Sequence, residues 1–134
     1  MKNGEYEFAT MLNEMENEVL ALKTAHQRPL GALDFFKDSI QFTVNLNSQY
    51  GTYYREFEVV VKIAEPTAKP PILQPAIDTP AGFFVVWLDD VSASLNYDTW
   101  TYRMYLISPN TSSGVVKFGV LSSQPIESIT WSYI

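Results

Sequence analysis

The apolar positions of this chain change period once. From Phe8 through Leu12, Met15, Val19 and Leu22 to His26 they fall alternately four and three residues apart, the seam spacing of a coiled coil. Residues 5 to 26 contain no Gly or Pro and are rich in Glu, Leu, Met, Ala and Lys, so intrinsic propensity agrees with the period, and Arg28-Pro29-Leu30-Gly31 ends the predicted helix. Glu5, Glu7, Glu14, Glu16 and Glu18 precede Lys23 and Arg28, an order that suits the helix dipole. Such a stripe is buried either against copies of itself or, as an amphipathic helix folded back, against the chain's own sheet. Self-association is the preferred reading, with a trimer first and a dimer open, because mixed branched and unbranched seam residues do not fix the number.

From Ile40 onward the period is two. Ile40, Phe42, Val44 and Leu46 alternate with Gln41, Thr43, Asn45 and Asn47, and Phe57, Val59, Val61 and Ile63 form a second alternating run beyond the turn residues Asn47 to Gly51. The pair reads as a hairpin. Pro66, Pro70, Pro71, Pro75 and Pro80 crowd residues 64 to 82, which predicts an extended crossover that no central strand ladder can use. Residues Gly82 to Leu88 are apolar on both faces, so they predict a strand covered on both sides, with Trp87 in the core. Three further strands are expected over Thr99 to Ile107, Val115 to Leu121 and Ser128 to Ile134. The expected fold is mainly β: an N-terminal amphipathic or coiled-coil helix over residues 1–28 that serves oligomerisation, then a β-domain over 29–134 built as an antiparallel sandwich or an intertwined β-head.

Composition narrows the function. The 134 residues include no cysteine, so neither a disulfide nor a thiolate site is expected, and the net charge of −6 argues against a nucleic-acid partner. The first seven residues lack the basic start and apolar block of a signal peptide. The run Phe83 to Leu88 is too short to cross a membrane. No membrane insertion is expected, and a virion or the bacterial cytoplasm is the expected location.

Residues able to carry chemistry are few. His26 is the single histidine; on the seam it sets register or marks the end of the helix, and copies of it converging on an ion are the lesser reading. Asp89, Asp90 and Asp98 would meet only if two strand ends adjoined, and read first as turn formers. With no nucleophile, base and orienting group to assemble, neither a catalytic site, a metal nor a cofactor is expected. Tyr50, Tyr53 and Tyr54 near the first hairpin turn, with Tyr97 and Trp100 beside the acidic loop, are the candidate ligand contacts. Arg55 and Arg103 are expected to stack on a ring or to pair with Glu56, Glu58 or Asp98.

The order of these parts, a short heptad segment from Phe8 to His26, the break Pro29-Leu30-Gly31 and a small aromatic β-domain without cysteine, resembles trimeric tail-fibre, baseplate or related structural modules of phages and prophages. The resemblance implies a non-enzymatic structural or attachment role, with other copies of the chain, further assembly proteins or a surface glycan as partners. The alternative is a β-sandwich carbohydrate-binding domain that uses the five aromatic residues just named. If the stripe is an oligomerisation seam, Leu12→Asp with Val19→Asp leaves a folded but dissociated β-domain in light scattering. A monomeric wild type would overturn self-association in favour of the folded-back helix.

Overall fold

The computed structural model describes residues 24–26, 30–78 and 84–134, with the backbone alone for 24–26 and 78. The described chain is mainly β: β1 (Thr24–His26), a 3-10 turn η1 (Leu30–Leu33), β2 (Asp38–Asn45), β3 (Asn47–Gln49), β4 (Thr52–Ile63), β5 (Ile72–Asp78), β6 (Val85–Ala93), β7 (Thr99–Ser108), β8 (Ser113–Leu121) and β9 (Ile126–Tyr133). All of the strand pairings are antiparallel.

The strands divide into two sheets. The larger runs β1-β6-β7-β4, with β3 and β9 sharing the far edge of β4, and the smaller is β2-β8-β5. Alternation drives their inner faces together. Phe57, Val59, Val61 and Ile63 of β4 and Tyr102, Met104 and Leu106 of β7 are buried against Phe42 and Val44 of β2 and Val116 and Phe118 of β8. Phe42, Phe57 and Phe118 meet in this core, with Phe42 edge-on to Phe57 at 5.6 Å between centroids. Such edge contacts suit the ring quadrupoles.

The expected hairpin between the Ile40–Leu46 and Phe57–Ile63 runs does not form, because β2 pairs with β8 in the smaller sheet; only the short β3 folds back on β4, with Tyr50 and Gly51 as a two-residue loop between paired Gln49 and Thr52. Both loop residues have positive φ, 54° and 79°, which is the backbone of a type I′ turn and matches the twist of the flanking strands. Upstream, the chain passes from the smaller to the larger sheet at Leu46, whose N–H donates to the Ser112 carbonyl. At Gly114 the inner face is so closely packed that an added Cβ would lie 2.7 Å from the fully buried Phe84 ring.

Three further expectations need correction. The predicted helix falls outside the described residues except for its last three, and those, Thr24 to His26, pair as β1 with Trp87, Val86 and Val85 of β6. The open backbone edge of β6 takes up an extended segment, so His26 is on a strand and not on a helical seam. The proline-rich crossover contains a strand, β5, which among the described residues pairs on one side only, with β8. An edge strand tolerates Pro75 because its missing N–H costs the ladder nothing on the open side. Finally, β6 is covered on one face. Phe84 and Val86 are buried, whereas Trp87 points outward and is 48% exposed, so it is not core.

The Tyr102 hydroxyl, fully buried, donates to the carbonyl of Pro71 and so ties β7 to the start of β5 in the opposite sheet. Burial pushes its pKa well above the ordinary tyrosine value. Because the folded-state pKa is raised, the stabilisation is complete at neutral pH and is lost as pH climbs above about 10, where the unfolded chain's tyrosine ionises. Tyr102→Phe is expected to cost about 1–3 kcal/mol at pH 7, since the Pro71 carbonyl loses its donor, and to flatten the alkaline decline in denaturant midpoint. An unchanged alkaline slope would show that this hydroxyl does not govern it.

Candidate functional site

On β4 the odd-numbered side chains from Phe57 to Ile63 fill the core, so Tyr54, Glu56, Glu58, Val60 and Lys62 face outward. The register carries this outer face across the larger sheet in rows. Tyr54 lies opposite Ile107, which lies opposite Val85; Glu56 lies opposite Tyr105, which lies opposite Trp87; Glu58 lies opposite Arg103, which lies opposite Asp90. Beyond these, Val60 faces Thr101, which faces Ser92, and Lys62 faces Thr99. The face therefore grades along the strands from aromatic and apolar, through charged, to hydroxyl-bearing.

A bulge sharpens the boundary between the first two zones. The β6–β7 register passes from Leu88 opposite Met104 to Asp90 opposite Arg103, leaving Asp89 as the extra residue. Bulges re-aim side chains, and here Asp89 and Asp90 are both exposed, while Val91 and Ala93 return to pack on the core. Asp89 and Asp90 thus lie within β6 and not at its end. Asp98 is remote from them in role: it accepts hydrogen bonds from Ser94 Oγ at 2.9 Å and Thr99 Oγ1 at 3.2 Å and closes the β6–β7 turn. Among the described residues, no group of three or more His, Cys, Asp and Glu is placed to hold a metal ion.

Polar groups interlock around the rings. Arg103 Nη2 is 3.5 Å from Glu56 Oε2, and the Tyr54 and Tyr105 rings are 6.4 Å apart between centroids. The Tyr105 pKa is raised by desolvation first, then by its hydrogen bond to Glu56 and that carboxylate's charge, and by the charge of Asp89, with Arg103 opposing. Tyr105 therefore stays a neutral hydroxyl, anchored by Glu56, at any physiological pH.

The five aromatic residues singled out from the sequence do not form one site. Tyr53 and Tyr54 lie opposite Ser108 and Ile107, whereas Lys62, at the other end of the same ladder, lies opposite Thr99; the rise of a strand puts these ends about 30 Å apart. Tyr50 projects freely from its turn, Tyr53 packs partly against the core, and Tyr97 occupies a turn position with φ of 57°. Trp100 is 6% exposed, within the core cluster, so it offers no face to a ligand, and its indole N–H has no partner among the described residues. Of the five, Tyr54 alone shares the outer face with Trp87 and Tyr105. Trp87 was missed because strand parity at β6 is illegible in a run apolar on both faces, and Tyr105 because β7 carries tyrosines on both of its faces, Tyr102 inward and Tyr105 outward. Arg55 stacks over the Tyr133 ring at 3.7 Å and Arg103 pairs with Glu56, as expected.

A second exposed apolar surface lies on the smaller sheet. There Phe36 covers Gly119, where an added Cβ would come within 2.6 Å of the ring, and Phe35 and Leu121 stand largely exposed beside a cleft of about 340 Å³ lined also by Leu33 and Ile72.

Trp87→Ala is expected to change stability by less than about 1 kcal/mol, as for a surface position, whereas Trp100→Ala should lose about 3–5 kcal/mol. Chemical denaturation of the two variants checks this; equal losses would return Trp87 to the core. Comparisons of the chain with protein-family models, with curated proteins and with solved structures found no match, so the geometry of this face and the sequence carry the functional reading.

Proposed function

We propose that this chain is a non-enzymatic attachment module, a β-sandwich that contacts its partner through the outer face of its larger sheet and is held in an oligomeric assembly of the phage or prophage tail kind. The observation that supports it is the half-exposed Trp87 beside Tyr105 and Tyr54, on the outer face of a sheet whose inner face is fully packed. Large aromatic side chains on a rigid sheet supply contact area at little entropic cost, and Trp and Tyr dominate the energetics of binding surfaces. The apolar stripe from Phe8 to Leu22 supports the assembly part of the proposal, since one weak contact face per chain gains strongly when several copies are presented together.

The test is attachment to intact cells. Fluorescently labelled protein is incubated with a panel of Gram-negative and Gram-positive bacteria, and cell-bound signal is compared between wild type and the double variant Trp87→Ala, Tyr105→Ala. Binding to at least one strain that the double variant loses, with its melting temperature kept, is expected. Binding that survives in the double variant, or no binding to any strain, would overturn attachment through this face.

A further inference from the structure

We infer that the ligand of the larger sheet's outer face is a pyranose glycan without acidic groups, stacked on Trp87, Tyr105 and Tyr54 and hydrogen-bonded by Glu56, Arg103 and Asp89. The inference rests on the attachment reading and names the ligand class for the same face.

Three observations carry it. First, the rings are flanked directly by hydrogen-bonding groups in register: Glu56 is the cross-strand neighbour of Tyr105, and Arg103 lies one row further along β7 with its guanidinium 3.5 Å from the Glu56 carboxylate. A sugar ring presents axial C–H groups on its flat face and hydroxyls around its rim. It therefore asks for an aromatic face bordered by planar carboxylate and guanidinium groups able to bond two adjacent hydroxyls. A purely apolar partner would bury this ion pair and leave its remaining donors and acceptors without hydrogen bonds.

Second, charge selects among glycans. Glu56, Glu58, Asp89 and Asp90 border the rings against Arg103 as their cationic neighbour, and Arg103 is already paired with Glu56. The whole chain also carries −6. Such a field repels uronic acids, sialic acids and sulfated sugars, tolerates neutral hexoses and favours amino sugars. Third, the β6 bulge brings Asp89 into this border: its charge reaches the Tyr105 hydroxyl, as does that of Glu56. An uninterrupted strand would alternate its side chains between the two faces; the irregularity instead leaves two consecutive carboxylates exposed beside the rings.

The experiment uses the full chain and follows tryptophan fluorescence and isothermal titration with cellohexaose, fully deacetylated chitohexaose and hexagalacturonic acid as probes. Saturable binding to the neutral or the amino oligosaccharide, with hexagalacturonic acid not bound, is expected. Trp87→Ala should weaken that binding by at least about tenfold, the loss of one aromatic contact of hot-spot strength, while Trp87→Phe retains most of it. Tyr97→Asn, at the far end of the sheet and in a residue type that tolerates positive φ, should leave it unchanged. Glu56→Gln should weaken chitohexaose more than cellohexaose. Equal or tighter binding of hexagalacturonic acid, binding indifferent to Trp87→Ala, or binding to none of the three would overturn the inference. If the labelled protein still attaches to cells through Trp87 and Tyr105 in that last case, the glycan class fails and the attachment reading survives; if that attachment also fails, both do.

Discussion

The structure depends on β4 being paired along both edges, with β7 on one side and β3 and β9 on the other. A strand held twice cannot slip by one residue without turning its whole apolar set to water, because side chains alternate strictly between faces. Four consecutive inward positions, Phe57, Val59, Val61 and Ile63, are essentially inaccessible, so this register is fixed by burial as well as by hydrogen bonds. Losing a single buried Phe typically costs about 3–5 kcal/mol, a large part of a small domain's stability. Once the inward set is fixed, the outward rows are fixed too. Tyr54 and Glu56 are placed by the same constraint that builds the core, and their cross-strand neighbours Ile107 and Tyr105 follow.

The two sheets are joined at their edges by aromatic contacts that cross from one to the other. Phe42 of β2 stacks on Trp131 of β9 at 4.2 Å with the rings nearly parallel, and Trp131 is edge-on to Tyr133. Tyr133 then finishes the corner. Its hydroxyl accepts the Asn45 N–H at 3.0 Å, at the end of β2 where the chain leaves the smaller sheet. Arg55 lies over the same ring and donates to the Asn45 carbonyl at 3.2 Å. Both backbone polar groups of Asn45 are thus satisfied at a point where the ladder changes sheets, which is where unpaired groups would otherwise accumulate. The last strand of the chain seals the passage between the first two long ones.

Much of this was legible in the sequence where side chains alternate, and little of it where they do not. Ile40 to Leu46 and Phe57 to Ile63 announced both strands and their buried faces through the contrast between neighbours. The stretch Phe83 to Leu88 has no contrast, so sequence alone assigned Trp87 inward; what turns it outward is its pairing with Tyr105, a contact across 18 positions. Trp100 failed in the opposite sense. Its nearness to a turn suggested exposure, but it shares parity with Tyr102 and Met104 and is buried with them. Pro75 hid a strand because prolines signal loops, and only the one-sided pairing of β5 reconciles the two. The bulge at Asp89 left no local mark: two adjacent aspartates read the same at a strand end and within a strand.

That difference bears on where a binding face can arise in such a fold. A turn offers exposure at the expense of rigidity, and Tyr50 is almost wholly exposed at its turn. Trp87 and Tyr105 instead rise from paired strands whose inner faces are locked by Val86, Leu106 and Met104, all fully buried. Rings supported in this way keep few alternative positions to surrender on contact, so more of the stacking energy survives as affinity. The apolar surface at Phe35 and Leu121 lacks such backing on its most exposed member: Phe35 follows the short turn η1 and has Phe36 as its ring neighbour at 4.5 Å. Of these two exposed apolar regions, the larger sheet combines rigid support, ring faces and in-register polar groups, and that combination, more than exposed area, is why the proposed attachment face is assigned to it.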